Sequence, residues 1–307
     1  MAISENWPYL LDPGLRRIYE VQRTALAASS LIPLLFSVNS SSKAVEYDLG
    51  IGGMADWKEY KGTINFDDPD MLWRVEYVHK EYIDGFKVER KLYDDDLYNI
   101  INKRPLGFAL AAARTREKHA AGVFNNAFTA GATAGYDAVA LCSATHDYSP
   151  VNGTHQTNTL ATALSYDNIV AARQAMRAFV DDRGEIVQVS PRLLLVPPEL
   201  ENTANEIIKT MRGANSQQPG TANYEANLLQ DRGMNYVVWD YLTDSTNWFL
   251  IDLDLAKLYL NWFDRVVEEV AIDPTGGFQL EARWRGYMRY SYGWSDYRWV
   301  IGSTGGD

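Results

Sequence analysis

A chain of 307 residues with 46% hydrophobic, 12% aromatic and 22% charged residues can bury a sizeable core in one large or two medium domains, which excludes disordered, collagen-like and coiled-coil chains. Its 40 Asp and Glu against 29 Lys and Arg leave a net charge of -11, which opposes tight sequence-independent binding to nucleic acid. The one cysteine, Cys142, excludes an intrachain disulfide framework and any multi-cysteine zinc or iron-sulfur site.

Residues 1–8 lack the basic start and apolar run of a secretory signal, so export is not expected. The most apolar early stretch, Leu31 to Phe36, is broken by Pro33 and falls well short of the ~20 residues that cross a bilayer. Asp12-Pro13-Gly14-Leu15 predicts the cap and first turn of a helix whose Leu15, Ile18 and Tyr19 share a face, and this arm ends at the polar break Asn39-Ser40-Ser41-Ser42. From Ala44 to Asp84 the pattern predicts a long hairpin, with β-type runs at Val45 to Leu49 and Leu72 to Val78 around a glycine-rich turn region, Gly50 to Gly53. With 10 acidic against 4 basic residues it carries about half of the net charge. It is expected to project into solvent or onto a partner that supplies basic side chains, with Trp57, Tyr60 and Trp73 as apolar anchors.

Asp94-Asp95-Asp96 puts negative charge at a helix start, and from Pro105 the residues Leu106, Leu110, Ala113, Ala120, Ala121, Phe124 and Phe128 recur at helical spacing. A helix from Pro105 to Phe128 would be roughly 36 Å long, a structural spine. Lys103, Arg104, Arg114, Arg116 and Lys118 against Glu117 make it locally basic, for which a solvated face is the plain reading. Residues 129 to 164 read as loops and short strands. Ser165 then caps a second helix, with Ile169, Ala172, Met176, Phe179 and Val180 as its buried stripe and Gly184 as its left-handed C-cap. Strands follow at Ile186 to Val189 and Arg192 to Val196, and Pro197-Pro198 opens a third helix that turns Leu200, Ala204, Ile207, Ile208 and Met211 inward until Gly213. Ala214 to Asn223 is an exposed loop, Asn235 to Asp240 and Trp248 to Leu253 form a strand pair, and the aromatic-rich stretch Phe278 to Ile301 returns as sheet. Helices and strands mix without regular alternation, so the fold class is α+β.

Standard motifs of chemistry are missing. Gly50-Ile51-Gly52-Gly53 lacks the third spaced glycine of a dinucleotide fingerprint, and no Walker A, His-Glu-x-x-His, Gly-x-Ser-x-Gly or EF-hand pattern occurs. Cys142, His146 and Asp147 supply the residue types of a nucleophile, its base and an orienting carboxylate, but a buried cysteine beside a turn at Thr145-His146-Asp147 is the stronger reading. Asp252 and Asp254 alternate onto one strand face and have the types for an acid/base pair, with a solvated face the plainer reading. The 9 Trp and 19 Tyr suit either a carbohydrate groove or protein interfaces.

The order of these pieces carries a resemblance. An N-terminal arm, an acidic hairpin and Val88-Glu89-Arg90-Lys91-Leu92 lead into a long helix, followed by Leu141-Cys142-Ser143-Ala144-Thr145-His146. Ser190-Pro191-Arg192-Leu193-Leu194-Leu195-Val196-Pro197-Pro198-Glu199-Leu200, Asn227-Leu228-Leu229, and Tyr297-Arg298-Trp299 before Ile301-Gly302-Ser303 continue it. Over nearly its whole length the chain resembles the major capsid proteins of tailed phages, in particular the major head subunits of Mu-like phages with the Hong Kong 97-type fold.

The resemblance implies an N-terminal arm at 1–43, an extended loop at 44–84, a peripheral domain with the spine helix at 85–189, an axial domain at 190–272 and a returning peripheral sheet at 273–307. It implies self-assembly into hexamers and pentamers of an icosahedral shell around double-stranded DNA, in a virion assembled in the host cytoplasm. Portal, scaffolding and decoration proteins are the implied partners, DNA is touched weakly and non-specifically, and no cofactor, metal, membrane or enzymatic step is implied. Scaffolding is left to another protein or to a prosegment outside this sequence. Trp57, Lys58, Tyr60, Lys61 and Trp73 are the expected interface residues of the loop, with non-covalent contacts favoured over a lysine crosslink, and Arg114, Arg116 and Lys118 the expected interior basic face. An encapsulin-like compartment is the nearest alternative, and a glycan-active enzyme the alternative from another class.

Overall fold

A computed structural model describes residues 7–62, 64, 66–69, 71–95, 100–131, 135, 137, 139–149, 154–209, 227–272 and 280–306. Asp96 of the acidic triplet, Met211, Gly213, the loop Ala214 to Asn223 and Phe278 lie outside the described residues. The arm comprises helices α1 (Trp7–Ala28) and α2 (Ile32–Leu35) and strand β1 (Ser37–Ser40). Helix α1 starts at Trp7, ahead of the predicted cap, because Trp7 is buried in a cluster with Val88, Ile101 and Trp284 and this packing holds the preceding turn helical. Asp12 is therefore no cap: its carboxylate accepts from the Trp284 indole at 2.9 Å and from Arg16 at 3.1 Å. Nor is Asn39-Ser40 a loose break, since β1 pairs with a strand of the main sheet.

Strands β2 (Val45–Ile51) and β3 (Met71–Val78) form the antiparallel hairpin, with Val45 opposite Val78. Gly50 and Ile51 belong to β2, so the connection is the longer segment that follows them. Next come β4 (Lys80–Glu89), α3 (Arg90–Asp94) and the spine helix α4 (Ile100–Asn125). Asp94 ends α3 instead of opening the spine, and α4 starts ahead of Pro105 because Ile101 and Pro105 are both buried. Short strands β5 (His146–Ser149), β6 (Thr154–Gln156) and β7 (Thr159–Leu160) precede α5 (Tyr166–Met176). Ser165 caps α5 by accepting from the Asn168 amide, and Ile169, Ala172 and Met176 are its buried stripe. Gly184, at φ +87°, lies beyond the helix end and closes the turn between Val180 and Ile186, which form only an isolated bridge.

The remainder is β8 (Leu193–Val196), α6 (Glu201–Lys209), α7 (Leu228–Asp231), β9 (Asn235–Val238), β10 (Trp248–Ile251), α8 (Leu253–Tyr259), β11 (Leu260–Ile272), β12 (Glu281–Trp294) and β13 (Val300–Ser303). One sheet has the order β1-β11-β12-β4 and a second the order β7-β13-β10-β8-β9. β9 and β10 are both strands but not a pair, because β8 lies between them. Strand β4 runs across residues 84 and 85, and β11 (260–272) pairs with both β1 and β12 in the four-stranded sheet.

The largest hydrophobic cluster lies where the C-terminal half of α4 meets both sheets. Phe124 there makes edge contacts with Trp239, Phe249 and Trp299 at centroid distances of 5.8, 5.3 and 6.0 Å. No helix among the described residues is long and apolar enough to cross a membrane.

Candidate assembly surface

The hairpin has an anchored base and a bare tip. One face of its two strands turns Val75 and Tyr77 inward, and the Tyr77 ring packs on Phe263 at 5.2 Å. His79, at the junction of β3 and β4, is buried between two serines: Ser291 Oγ lies 2.9 Å from Nδ1 and Ser41 Oγ 3.0 Å from Nε2. Ser41 Oγ donates to Glu46 at 2.7 Å, which assigns the Nε2 proton to His79 as donor. Burial, aided by Arg289, pulls the His79 pKa below the ordinary histidine value.

The acidic residues of the base find partners within the chain. Glu46 accepts from Ser41 and pairs with Lys43 at 3.0 Å, and these bonds hold its carboxyl below the usual range. Asp67 accepts from the Ala55 amide at 2.7 Å and from Arg183, with the same effect, while the Gly53 amide donates to Asp182 at 2.7 Å. Asn261 donates to Asp48 at 3.3 Å, and Arg289 lies 3.8 Å from Glu81. Lys43, Arg183 and Arg289, all outside the hairpin, thus each meet one of its acidic residues, and Asp56, Glu59, Glu76 and Asp84 stay exposed to water.

At the tip the balance reverses. Between Met54 and Phe66 the charges cancel, Asp56 and Glu59 against Lys58 and Lys61, and Lys61 pairs with Glu59 at 3.5 Å. What stands out is apolar surface: Trp57 is fully exposed, Phe66 89%, Tyr60 73%, Ile64 70% and Met54 65%. Lys58 and Lys61 are exposed beside them. Trp73 differs, being half-buried with its indole laid over Gly50, its cross-strand partner, where a Cβ would lie 2.3 Å from the ring.

Spacing of two residues separates the spine cations. Arg114 and Lys118 are exposed, whereas Arg116 points into the fold and holds Asp264 through two bonds of 2.9 and 3.0 Å, lying 5.1 Å over Trp262 and 5.3 Å over Tyr290. Arg116 is therefore a structural ion pair and no part of an open basic face. A step of two residues on a helix rotates about 200°, which sequence spacing alone would have revealed.

The chemical candidates are absorbed by structure. Cys142 is buried beside Gly302, and burial pushes its thiol pKa up, away from thiolate. His146 lies in β5 and not in a turn; its Nδ1 is 2.6 Å from Asp137 Oδ2, its Nε2 3.1 Å from the Leu141 carbonyl, and its ring stacks on Tyr297 at 3.9 Å. Asp147 instead pairs with His155 at 2.7 Å. Asp252 is the N-cap of α8, accepting from the amides of Asp254 and Leu255, and also from Ser190 at 2.6 Å. It is not on a strand face.

A spine helix laid on a four-stranded sheet, a second sheet beside it and a projecting hairpin define a shell-forming subunit of the Hong Kong 97-type capsid fold. Solved structures bear this out. The capsid of a native GTA particle matches at a TM-score of 0.55 with 14% identity over 89% of this chain and 88% of that one. The capsid of the cyanophage P-SCSP1u matches at 0.57 with 11% identity over 89% and 87%. That of bacteriophage JBD30 matches at 0.55 with 14% identity over 70% and 91%. A search of curated proteins finds no match. The family model described as phage capsid protein matches residues 74–302, and the chain belongs to that family: it is a major capsid protein of the phage shell.

Proposed function

We propose that the hairpin tip is the part of the subunit that a neighbouring copy covers when the shell closes. The observation that carries this is the fully exposed Trp57 among Met54, Tyr60, Ile64 and Phe66 on a charge-balanced segment. Large exposed apolar patches mark interaction sites, and aromatic side chains supply most of the energy when such sites are covered. Lys58 and Lys61 rim the contact, and Trp73 stiffens the hairpin beneath it.

In this reading the subunits form hexamers and pentamers of an icosahedral shell around double-stranded DNA. The arm (1–43), extended loop (44–84), peripheral domain (85–189, with 273–307) and axial domain (190–272) divide the labour, with the loop proper closing at Val78. The exposed Arg114 and Lys118 face the interior, where a modest positive potential offsets repulsion between DNA and an acidic wall. Portal and decoration proteins are separate chains, scaffolding comes from another protein or from a prosegment outside this sequence, assembly takes place in the host cytoplasm, and kinship with Mu-like head subunits rests on the residue order quoted above. The role is non-enzymatic, a reading supported by the buried Cys142 and the capping role of Asp252.

The test replaces Met54 to Phe66 by a short Gly-Ser linker. Circular dichroism should show an unchanged cooperative melt, and electron microscopy should show no closed shells. Loss of the melt would place the tip in the subunit core, and normal shells would show that no neighbour needs it; either result overturns the proposal.

A further inference from the structure

We infer that four arginines at one end of the five-stranded sheet, Arg173, Arg177, Arg192 and Arg232, form a binding site for a multiply charged phosphate group. Arg173 and Arg177 are four residues apart, one turn above the other on the same side of the α5 C-terminus. Arg192 immediately precedes β8, and its carbonyl accepts the Asn235 amide at 2.8 Å where β9 begins. Strands β8 and β9 are parallel, so their starts lie at the same end of the sheet, and Arg232 sits in the turn that enters β9. Three elements distant in sequence thereby deliver cations to one place.

The cluster lacks compensation. Among the described residues none of the four guanidiniums has a carboxylate within 4.0 Å, whereas Arg116, Arg183 and Arg298 each take one. The Nε of Arg173 is buried with no hydrogen-bond partner in the chain. Burial lowers the Arg173 pKa, and repulsion from Arg232, Arg177 and Arg192 lowers it further. Arg177, Arg192 and Arg232 are exposed, so water screens part of this repulsion, and in a chain with 40 acidic and 29 basic residues the local excess of positive charge favours a bound anion.

Phosphate fits better than carboxylate. Guanidinium forks bind phosphate oxygens in two-pronged bonds, and a compact anion of charge about -2 answers several cations at once where a carboxylate answers one. A nucleic-acid backbone and a free polyphosphate share this chemistry.

The test uses the full chain at constant ionic strength, with sodium tripolyphosphate as probe in thermal melting and calorimetric titration against a chloride control. The wild type should melt higher as tripolyphosphate is added, since a ligand of the folded state stabilises it. Arg173→Gln should melt higher than wild type without the probe, through relief of repulsion, and should bind tripolyphosphate at least roughly tenfold more weakly. The exposed Arg232→Gln, which leaves the buried position intact, should show the same weakened binding. Displacement of tripolyphosphate by a short DNA duplex would assign the site to a nucleic-acid backbone; binding without displacement would assign it to free polyphosphate. A melt that tripolyphosphate moves no more than chloride does, variants that bind tripolyphosphate as tightly as wild type, or equally tight binding of a poly-glutamate peptide would overturn the inference.

Discussion

The spine-and-sheet core and the hairpin tip are built from the same kinds of side chain with opposite fates. Against the sheet, Trp262 stacks on Tyr290 at 4.7 Å and on Tyr292 at 5.3 Å, with Phe36 edge-on at 5.8 Å and Arg116 laid across the stack. At the tip, Trp57, Tyr60 and Phe66 touch little of their own chain. The contrast teaches that one aromatic set stabilises the fold while the other is left exposed, the set that the proposal assigns to contact between copies.

The largest effect that can break this comparison is expected at Trp262. Trp262→Ala should cost the isolated subunit about 3–5 kcal/mol in a denaturant melt, the usual penalty for emptying a large aromatic site. Trp57→Ala should change the same melt by no more than about 0.5 kcal/mol, as surface substitutions do, while lowering shell yield. Equal losses at the two positions would show that the tip belongs to the folded core. A second pair sharpens the contrast along the spine. Arg116→Ala leaves the largely buried Asp264 carboxylate without its cation and should cost about 3 kcal/mol, whereas Arg114→Ala should stay within about 0.5 kcal/mol.

The arm offers a pH test of how the core is closed. Two register shifts in β11, at Asp264/Val266 and Val266/Glu269, take Glu268 out of strand pairing. Its carbonyl accepts from Arg23 at 3.2 Å and its carboxyl from the Tyr19 hydroxyl, so this irregularity is where α1 docks. Arg23, Arg114, Arg116, Glu117 and Asp240 are the other charged groups lining the same cleft of about 850 Å³. Burial raises the Glu268 pKa from 4.5 to about 7. Because the folded value exceeds the unfolded one, its contribution is fully present below the unfolded pKa and is lost as pH rises through about 7. Wild type should therefore lose melting temperature relative to Glu268→Gln as pH rises from 4.5 to about 7 and run parallel to it above that, and curves parallel throughout would mean that the carboxyl is solvated and the arm is held by other contacts.

Local signals were the legible part of this fold. The Ser165 cap, the Ile169-Ala172-Met176 stripe, the paired runs of the hairpin and the helix after Pro197-Pro198 each act through neighbours a few residues away, and the structure contains them. Signals overridden by distant packing were not legible. Trp7 and Ile101 start their helices early because Trp284 closes the same cluster. In β11, Asp264, Arg265, Glu268 and Glu269 together with two register shifts destroy the alternation that marks a strand. At the surface, the exposure of Trp57 and Tyr60 was readable, but the pairing of Asp67 and Glu81 depends on Arg183 and Arg289, far away in sequence. The arginine cluster was invisible for the same reason, since the β8–β9 pairing brings residues 192 and 232 to one sheet end and α5, distant in sequence, adds residue 173.

The smallest expected effect asks which part of the spine a neighbour covers. Gly107 lies inside α4 on its exposed side, and a Cβ built there has nothing within 4 Å. Glycine in a helix interior costs about 1 kcal/mol relative to alanine through the backbone freedom it loses on folding. Gly107→Ala should therefore stabilise the isolated subunit by up to about 1 kcal/mol, visible as a small rise in melting temperature. A fall would mean that the helix is not regular there or that its own chain crowds the position. The same variant then reports on assembly independently of the fold: shells that form normally leave this face of α4 open, while a more stable subunit that fails to close shells places a neighbouring copy against it. In that second case the surface reserved for contact would extend from the hairpin tip onto the spine, and the division between folding and assembling residues would run through α4 itself.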